Sequence, residues 1–226
     1  MEYRLRRNSR AKSARWRVTI REGLVVTIPR RFPRRRVEEL VRSNEPRIKS
    51  AFQLVEEEKK RLLPAEIQLR ALDHVWSVDY SDDKLESAVV ESGSRLVVTA
   101  DPGNPLAVID RIGLWLSSKA KQHLVPQIQK ASGEVGLPFK KVTIRRQKTR
   151  WGSCSKKGTI NLNRALLFFP PHLVRYVMVH ELCHTEHLDH SGQFWKLVER
   201  WEPNCRALKR EMAGQWKLYV PDWALI

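Results

Sequence analysis

Cysteine is scarce in this chain of 226 residues: there are three, Cys154, Cys183 and Cys205, with no C-x-x-C pair among them. An odd number at wide spacing argues against a disulfide framework and against a separate cysteine-based zinc knuckle. It suits a reducing, cytoplasmic setting. Long apolar runs are missing as well. The longest, such as residues 165–171, fall far short of the roughly 20 residues that cross a bilayer, so no membrane partner is expected. The N-terminus opens on arginines and polar residues without an apolar h-region, which argues against a secretory signal. Internal repeats and low-complexity linkers are absent. Acid is the scarcest commodity locally. Residues 1–36 hold thirteen Arg or Lys against only Glu2 and Glu22, and residues 135–179 hold ten with no acid at all.

What remains is a globular balance, 42% apolar and 30% charged, with a formal net charge of +17. Basic fields of that size favour polyanions and acidic partners. No nucleic-acid-reading motif accompanies them, so the charge by itself reads as a solvated surface. Weak, sequence-indifferent nucleic-acid binding is the added expectation.

Periodicity gives the organisation. Residues 14–20 and 24–28 alternate apolar and polar positions about Glu22-Gly23, which predicts a hairpin. Helical spacing follows from Pro33 to about Lys60, interrupted by Ser43-Asn44-Glu45-Pro46, so two helices are expected. Strand character returns at 67–69, 75–78, 85–90 and 95–99, as a short antiparallel meander. Pro105 opens a long helix, expected to bend or stop near Pro126. A second hairpin is predicted from 142–154 and 159–162, around Lys156-Lys157-Gly158. Pro170-Pro171 starts a helix, and two more follow at about 192–201 and 204–216. This order of elements predicts an α+β fold with antiparallel sheet, divided near 100–105 into a basic N-terminal region (1–104) and a second domain (105–226).

Four of the seven histidines fall between positions 180 and 190. His180-Glu181-Leu182-Cys183-His184 is an H-E-x-x-H run. On a helix, positions i and i+4 lie one above the other, about 6 Å apart along the axis, so two imidazoles can reach one zinc ion. The intervening Glu181 then sits beside the ion without ligating it, where it can act on a water. The preceding stretch 173–179 is almost wholly apolar, so this helix is expected to be buried. Two histidines and a glutamate there are costly unless they bind something. A catalytic zinc needs a third protein ligand. His187 would lie about 10 Å along a continuing helix from His180, a poor geometry for convergence. His190 follows a place where the chain can turn, at Ser191-Gly192, and is the expected third ligand. Asp189 and Glu186 are alternatives, or partners that orient an imidazole. Cys183 and Cys205 read as small core hydrophobes.

The runs Lys148-Thr149-Arg150-Trp151-Gly152-Ser153-Cys154-Ser155 and Ile160-Asn161-Leu162-Asn163, then H-E-L-C-H and His190-Ser191 with Phe194-Trp195, together resemble the YgjP-like metallopeptidases. That group is distantly similar to SprT-like and other zincin proteases. The resemblance implies a zincin-like catalytic domain, zinc held by His180, His184 and His190, Glu181 as catalytic base, and peptide or protein substrates. In zincins an edge strand near the metal pairs with an extended substrate, and here the hairpin 142–163 is the candidate. Arg150 either faces the cleft or is solvated, and Asn161 and Asn163 read as loop-bonding residues. A rival reading makes the zinc structural and the basic arm a nucleic-acid binder. A third joins the two, as a protease acting on DNA-bound proteins.

Overall fold

The alternation around Gly23 produces the hairpin it predicts. In the computed structural model, which describes residues 1–81, 88–101, 103–147 and 149–225, β2 (Arg15–Thr19) pairs antiparallel with β3 (Gly23–Ile28). Gly23 takes a left-handed φ of 63° at the turn, a conformation costly for a residue with a Cβ. A strand not foreseen, β1 (Arg4–Arg7), adds parallel to β3, giving the order β1-β3-β2. Helices α1 (Arg35–Ser43) and α2 (Glu45–Lys60) break at Asn44, with Pro46 in the first turn of α2. Val37, Val41 and Ile48 from these helices close on Leu24, Val26 and Ile28, the alternate residues of β3. Each such side chain contributes roughly 1.5–3 kcal/mol when buried, which makes this cluster the main support of a small unit.

The chain forms two compact units, Met1–Leu63 and Pro64–Leu225. The boundary expected near 100–105 falls inside the second. There β4 (Glu66–Leu69), β5 (His74–Ser81), β6 (Val89–Ser92) and β7 (Arg95–Thr99) form a sheet in the order β4-β5-β7-β6. The sheet is tied to the long helix α3 (Pro105–Val135). Trp76 of β5 packs edge-on to Trp115 of α3 at 5.3 Å, and Glu91 of β6 accepts from both indole N–H groups at 3.1 Å. Lys119 of α3 closes the cluster at 2.7 Å from Glu91. Composition shifts at 100–105, but packing does not. The sheet is also mixed rather than a plain antiparallel meander, because β5 runs parallel to β7. Alternation tells which face a residue takes; it is silent on which strand lies beside it. Positions 85–87 of the strand expected at 85–90 lie outside the described residues.

Helix α3 does not stop at Pro126. It continues to Val135, with Leu124, Ile128, Ala131 and Val135 buried on both sides of the proline, and ends at Gly136 with a left-handed φ of 68°. The apolar stripe outweighs the hydrogen bond that Pro126 forfeits. The predicted second hairpin is realised only by β9 (Gly152–Cys154) and β10 (Thr159–Asn163). Residues of β8 (Lys141–Arg145) pair parallel on the other side of β10, giving β8-β10-β9. The chain between β8 and β9 leaves the sheet because Asn163, 2% exposed, donates to the carbonyls of Gln147 and Arg150 at 2.8 Å each. Lys148, in that loop, is outside the described residues.

A 3-10 turn, Arg164–Phe168, leads to α4 (Pro171–Cys183), α5 (Gly192–Trp201), α6 (Cys205–Tyr219) and a short α7 (Asp222–Leu225). Buried Arg164 donates to the Gly113 carbonyl and to the Ser117 hydroxyl, which fastens this turn to α3. The α+β class stands. Among the described residues no helix is long and apolar enough to cross a membrane.

Candidate metal centre

Helix α4 owes its position to its apolar residues: Leu173, Val174, Val177, Met178, Val179 and Leu182 are all buried. Three of these are β-branched valines, weak helix formers, so tertiary burial rather than propensity holds the helix. It stops at Cys183, and His184 is its C-cap. The N–H groups of Glu186 and His187 both bond to the Cys183 carbonyl, so the chain turns off the axis at once. That turn removes the ring of His187 from the face shared by His180 and His184. It also returns His190: Asp189 Oδ1 accepts from the Ser191 N–H at 3.2 Å, and the Ser191 hydroxyl then caps α5 at Phe194.

The structure brings together the three histidines singled out by spacing. One ring nitrogen from each of His180, His184 and His190 lies within 4.8 Å of the others. The Nε2 atoms of His180 and His190 are 3.2 Å apart. A tetrahedron with zinc–nitrogen bonds of about 2.0–2.1 Å has edges of about 3.3 Å, so this pair already has the spacing of two ligands on one ion. His184 has its tautomer fixed. The His187 carbonyl can only accept, so His184 Nδ1 donates to it at 2.8 Å and Nε2 keeps its lone pair. Burial, then the neighbouring His184 and His190 and the charge of Lys209, push His180 down to about 3, so its imidazole is neutral. Burial likewise lowers His184. Neutral imidazoles are what a divalent ion requires, and the donor set fits one. Among the described residues no fourth donor joins the group.

Glu181 lies beside them, 5% exposed, with Oε2 buried and without a hydrogen-bond partner among the described residues. Burial raises its carboxyl to about 8, against the pull of Arg150. A cation held by the histidines would draw it down again, because opposite charge favours the carboxylate. An unsatisfied buried carboxylate oxygen is expensive unless something approaches it.

The contacts of several residues here escaped sequence reasoning. Phe194 is fully buried and stacks on His184, with ring centroids 4.4 Å apart and planes 21° apart; its ring stands edge-on to His180 and His190 at 4.9 and 5.0 Å. It backs all three imidazoles. Gly152 of β9 is the second. A Cβ built there would lie 2.5–2.7 Å from the Cγ, Oε1 and Cδ atoms of Glu181, so only glycine lets the strand pass the carboxylate. An isolated glycine inside a strand pattern was the available signal. Tyr176, one helical turn before His180, has its ring 5.9 Å from that imidazole, and burial raises its phenol to about 12. Trp195 lies 5.8 Å from His180 and carries the Lys209 ammonium 4.5 Å from its ring centre.

A cleft of about 400 Å³ opens beside His180 and Glu181, lined by Trp151, Tyr176, Met212 and Trp216 and by Arg150 and Lys209. Arg150 thus faces the cleft. Asn163 holds the Arg150 loop as expected, whereas Asn161 bonds not to a loop but to Thr143 and Ser153 on the two neighbouring strands.

A helix bearing H-E-x-x-H, a third histidine folded back onto it and a cleft alongside define a metallopeptidase-like centre. Residues 12–215 match the family described as YgjP-like, metallopeptidase domain, and the chain belongs to it. Two solved structures are similar over part of the chain. One is the metallopeptidase zymogen of Pyrococcus abyssi abylysin, 30% identical, covering 40% of this chain and 92% of that one, with a TM-score of 0.36. The other is the metallopeptidase zymogen of Methanocaldococcus jannaschii jannalysin, 18% identical, covering 41% and 95%, with a TM-score of 0.37. No curated protein matches the chain.

Proposed function

We propose that this member of a metallopeptidase family is a zinc-dependent peptidase, with His180, His184 and His190 holding the ion and Glu181 acting as general base. The observation that carries the reading is the convergence of three imidazole donors within 4.8 Å beside a buried carboxylate with an unsatisfied oxygen. Zinc, when bound, would supply a Lewis acid that lowers the pKa of a water to about 7 and polarises a carbonyl. Glu181 takes a proton from the attacking water and returns it to the leaving amine. Phe194 packs against all three imidazoles and Trp195 against those of His180 and His190, which fixes the orientation of the donors. Strand β9 pairs with β10 on one side, and its other side meets no strand among the described residues. An extended peptide added there would lie against Gly152 and so beside Glu181. That no fourth donor joins the three histidines among the described residues favours an open, catalytic site over a closed structural one.

Glu181→Gln tests the reading. The amide is nearly the same size as the carboxylate and Glu181 is given no zinc bond, so metal content and thermal stability should stay close to wild type. Cleavage of a peptide library that the wild type digests, and that a chelator protects, should fall by about 10²–10⁴-fold. Full activity in the variant would remove Glu181 from the base role. Cleavage that survives complete metal removal would remove the metal from the reaction.

A further inference from the structure

The geometry of the N-terminal unit points to a binding role: its exposed sheet face binds the phosphate backbone of a single-stranded nucleic acid. Register carries the inference, since paired positions of neighbouring strands share a face. Arg4 and Arg17 both pair with Val25, and Arg6 and Arg15 both pair with Thr27. Leu5 and Trp16 pair with Val26 and belong to the core formed with α1 and α2. Four exposed guanidinium groups therefore stand on the face turned away from those helices. They form two rows about 7 Å apart along the strands, each spanning about 10 Å across the sheet.

A cleft of about 550 Å³ opens at this part of the sheet, lined by Arg6, Arg15, Arg17 and Thr27 of this face together with Arg7 and Trp16, whose register places them on the other. Arg7 is anchored by donating to the Arg30 carbonyl at 2.8 Å. Glu22 accepts from Arg6 at 2.6 Å and lies 3.6 Å from Arg4. Arg15 and Arg17 have no carboxylate partner among the described residues, so two cations are left for an outside anion.

The choice of arginine narrows the anion. Of the thirteen basic residues in positions 1–36, twelve are Arg and only Lys12 is not. A guanidinium offers two parallel N–H donors to one phosphate, whereas attraction to a charged membrane is served equally well by lysine. The row spacing suits successive phosphates of one strand. Among the described residues both helices of the unit pack on the opposite face of the sheet, so this side offers an open surface along which a single strand can lie.

Fluorescence anisotropy of the full-length protein with a labelled oligothymidylate or oligouridylate of about 20 nucleotides, between about 50 and 200 mM salt, tests this. Arg15→Gln/Arg17→Gln should weaken binding at least about tenfold at the low end and flatten the salt slope by about 1.4, at roughly 0.7 per phosphate contact. Zinc content and peptidase activity should not change. Lys156→Gln/Lys157→Gln removes the same charge from the turn between β9 and β10 and should bind as wild type. If the arginine pair misfolds, Arg17→Gln alone should flatten the slope by about 0.7. Equal losses in the arginine and lysine variants would overturn the site in favour of diffuse charge. Wild-type binding in the arginine variant, or no binding by the wild type at low salt, would overturn it too. So would capture by phosphatidylglycerol vesicles without any oligonucleotide binding.

Discussion

Replacing Gly152 by alanine isolates the contact between the edge strand and the proposed base. The new Cβ would lie 2.5 Å from Glu181 Cγ, 2.6 Å from Oε1 and 2.7 Å from Cδ. Carbon atoms rest at about 3.5–4.0 Å, so the overlap is roughly 1 Å. Gly152 is not among the glycines with positive φ, so alanine fits its backbone and the whole effect is steric. At 5% exposure, Glu181 has little room to swing into solvent, and the carboxylate must be displaced by about the overlap. A misplacement of about 1 Å at a reacting group costs on the order of 10²-fold in rate. We therefore expect Gly152→Ala to lower kcat about 10²-fold while destabilising the fold by about 1–3 kcal/mol, the usual range for overpacking. Zinc content should be unchanged, because the histidine rings are not touched. The assay pairs metal analysis with initial rates on a peptide that the wild type cleaves, and far-ultraviolet circular dichroism controls for folding. A folded, zinc-loaded Gly152→Ala with wild-type kcat would refute the reasoning, since it would show that the carboxylate can move without consequence.

His190→Ala should lose most of its bound zinc, whereas His187→Ala should keep it, because His187 serves His184 through its backbone carbonyl and not its ring; the reverse pattern in metal analysis would exchange their roles. Glu91→Ala should lower the unfolding free energy by about 1.5–3 kcal/mol near neutral pH, the range for hydrogen bonds to a charged group. Burial pushes the Glu91 carboxyl up, but Lys119 and the indoles of Trp115 and Trp76 together hold it below the usual carboxylate range. With a depressed folded-state value, its stabilisation is present above the ordinary carboxylate value and is lost as pH falls through the lowered one. Urea unfolding at neutral and acidic pH should therefore show the deficit of the variant shrinking in acid, and a deficit that stays constant would rule out the charged form as its source.

Local periodicity was enough for most elements. The Gly23 hairpin, the break at Asn44 and the start of α4 at Pro171 depend on residues a few positions apart, and the chain carries those signals openly. Pairing between distant strands was not legible. Nothing in Lys141–Arg145 says that it will lie parallel to β10 rather than continue into β9. The decision rests on Asn163, whose amide draws the intervening loop away from the sheet. β1 was missed for a related reason. Its one inward side chain is Leu5, too short a pattern to register, and the strand exists because β3 offers it an edge. The division of the chain was misplaced because it depends on Trp76, Trp115 and Glu91 meeting across 39 residues of sequence, which composition does not reveal.

The candidate site divides along the same line. His180, Glu181 and His184 are set by one turn of helix, and His190 by the turn that begins where α4 ends, so four chemical groups could be chosen from eleven consecutive residues. The environment that makes them usable is non-local or has no polar signature. Phe194 is an ordinary apolar residue of an amphipathic helix until its ring is seen against three imidazoles. Gly152 is a small residue in a short strand until α4 presents Glu181 to it. The proposed metal donors are consequently encoded locally, while the position of the carboxylate is set by a residue 29 positions upstream on another element. Zinc affinity and peptidase activity should therefore be separable by mutation: changes at His180, His184 or His190 remove both together, and changes at Gly152 or Glu181 remove the second alone.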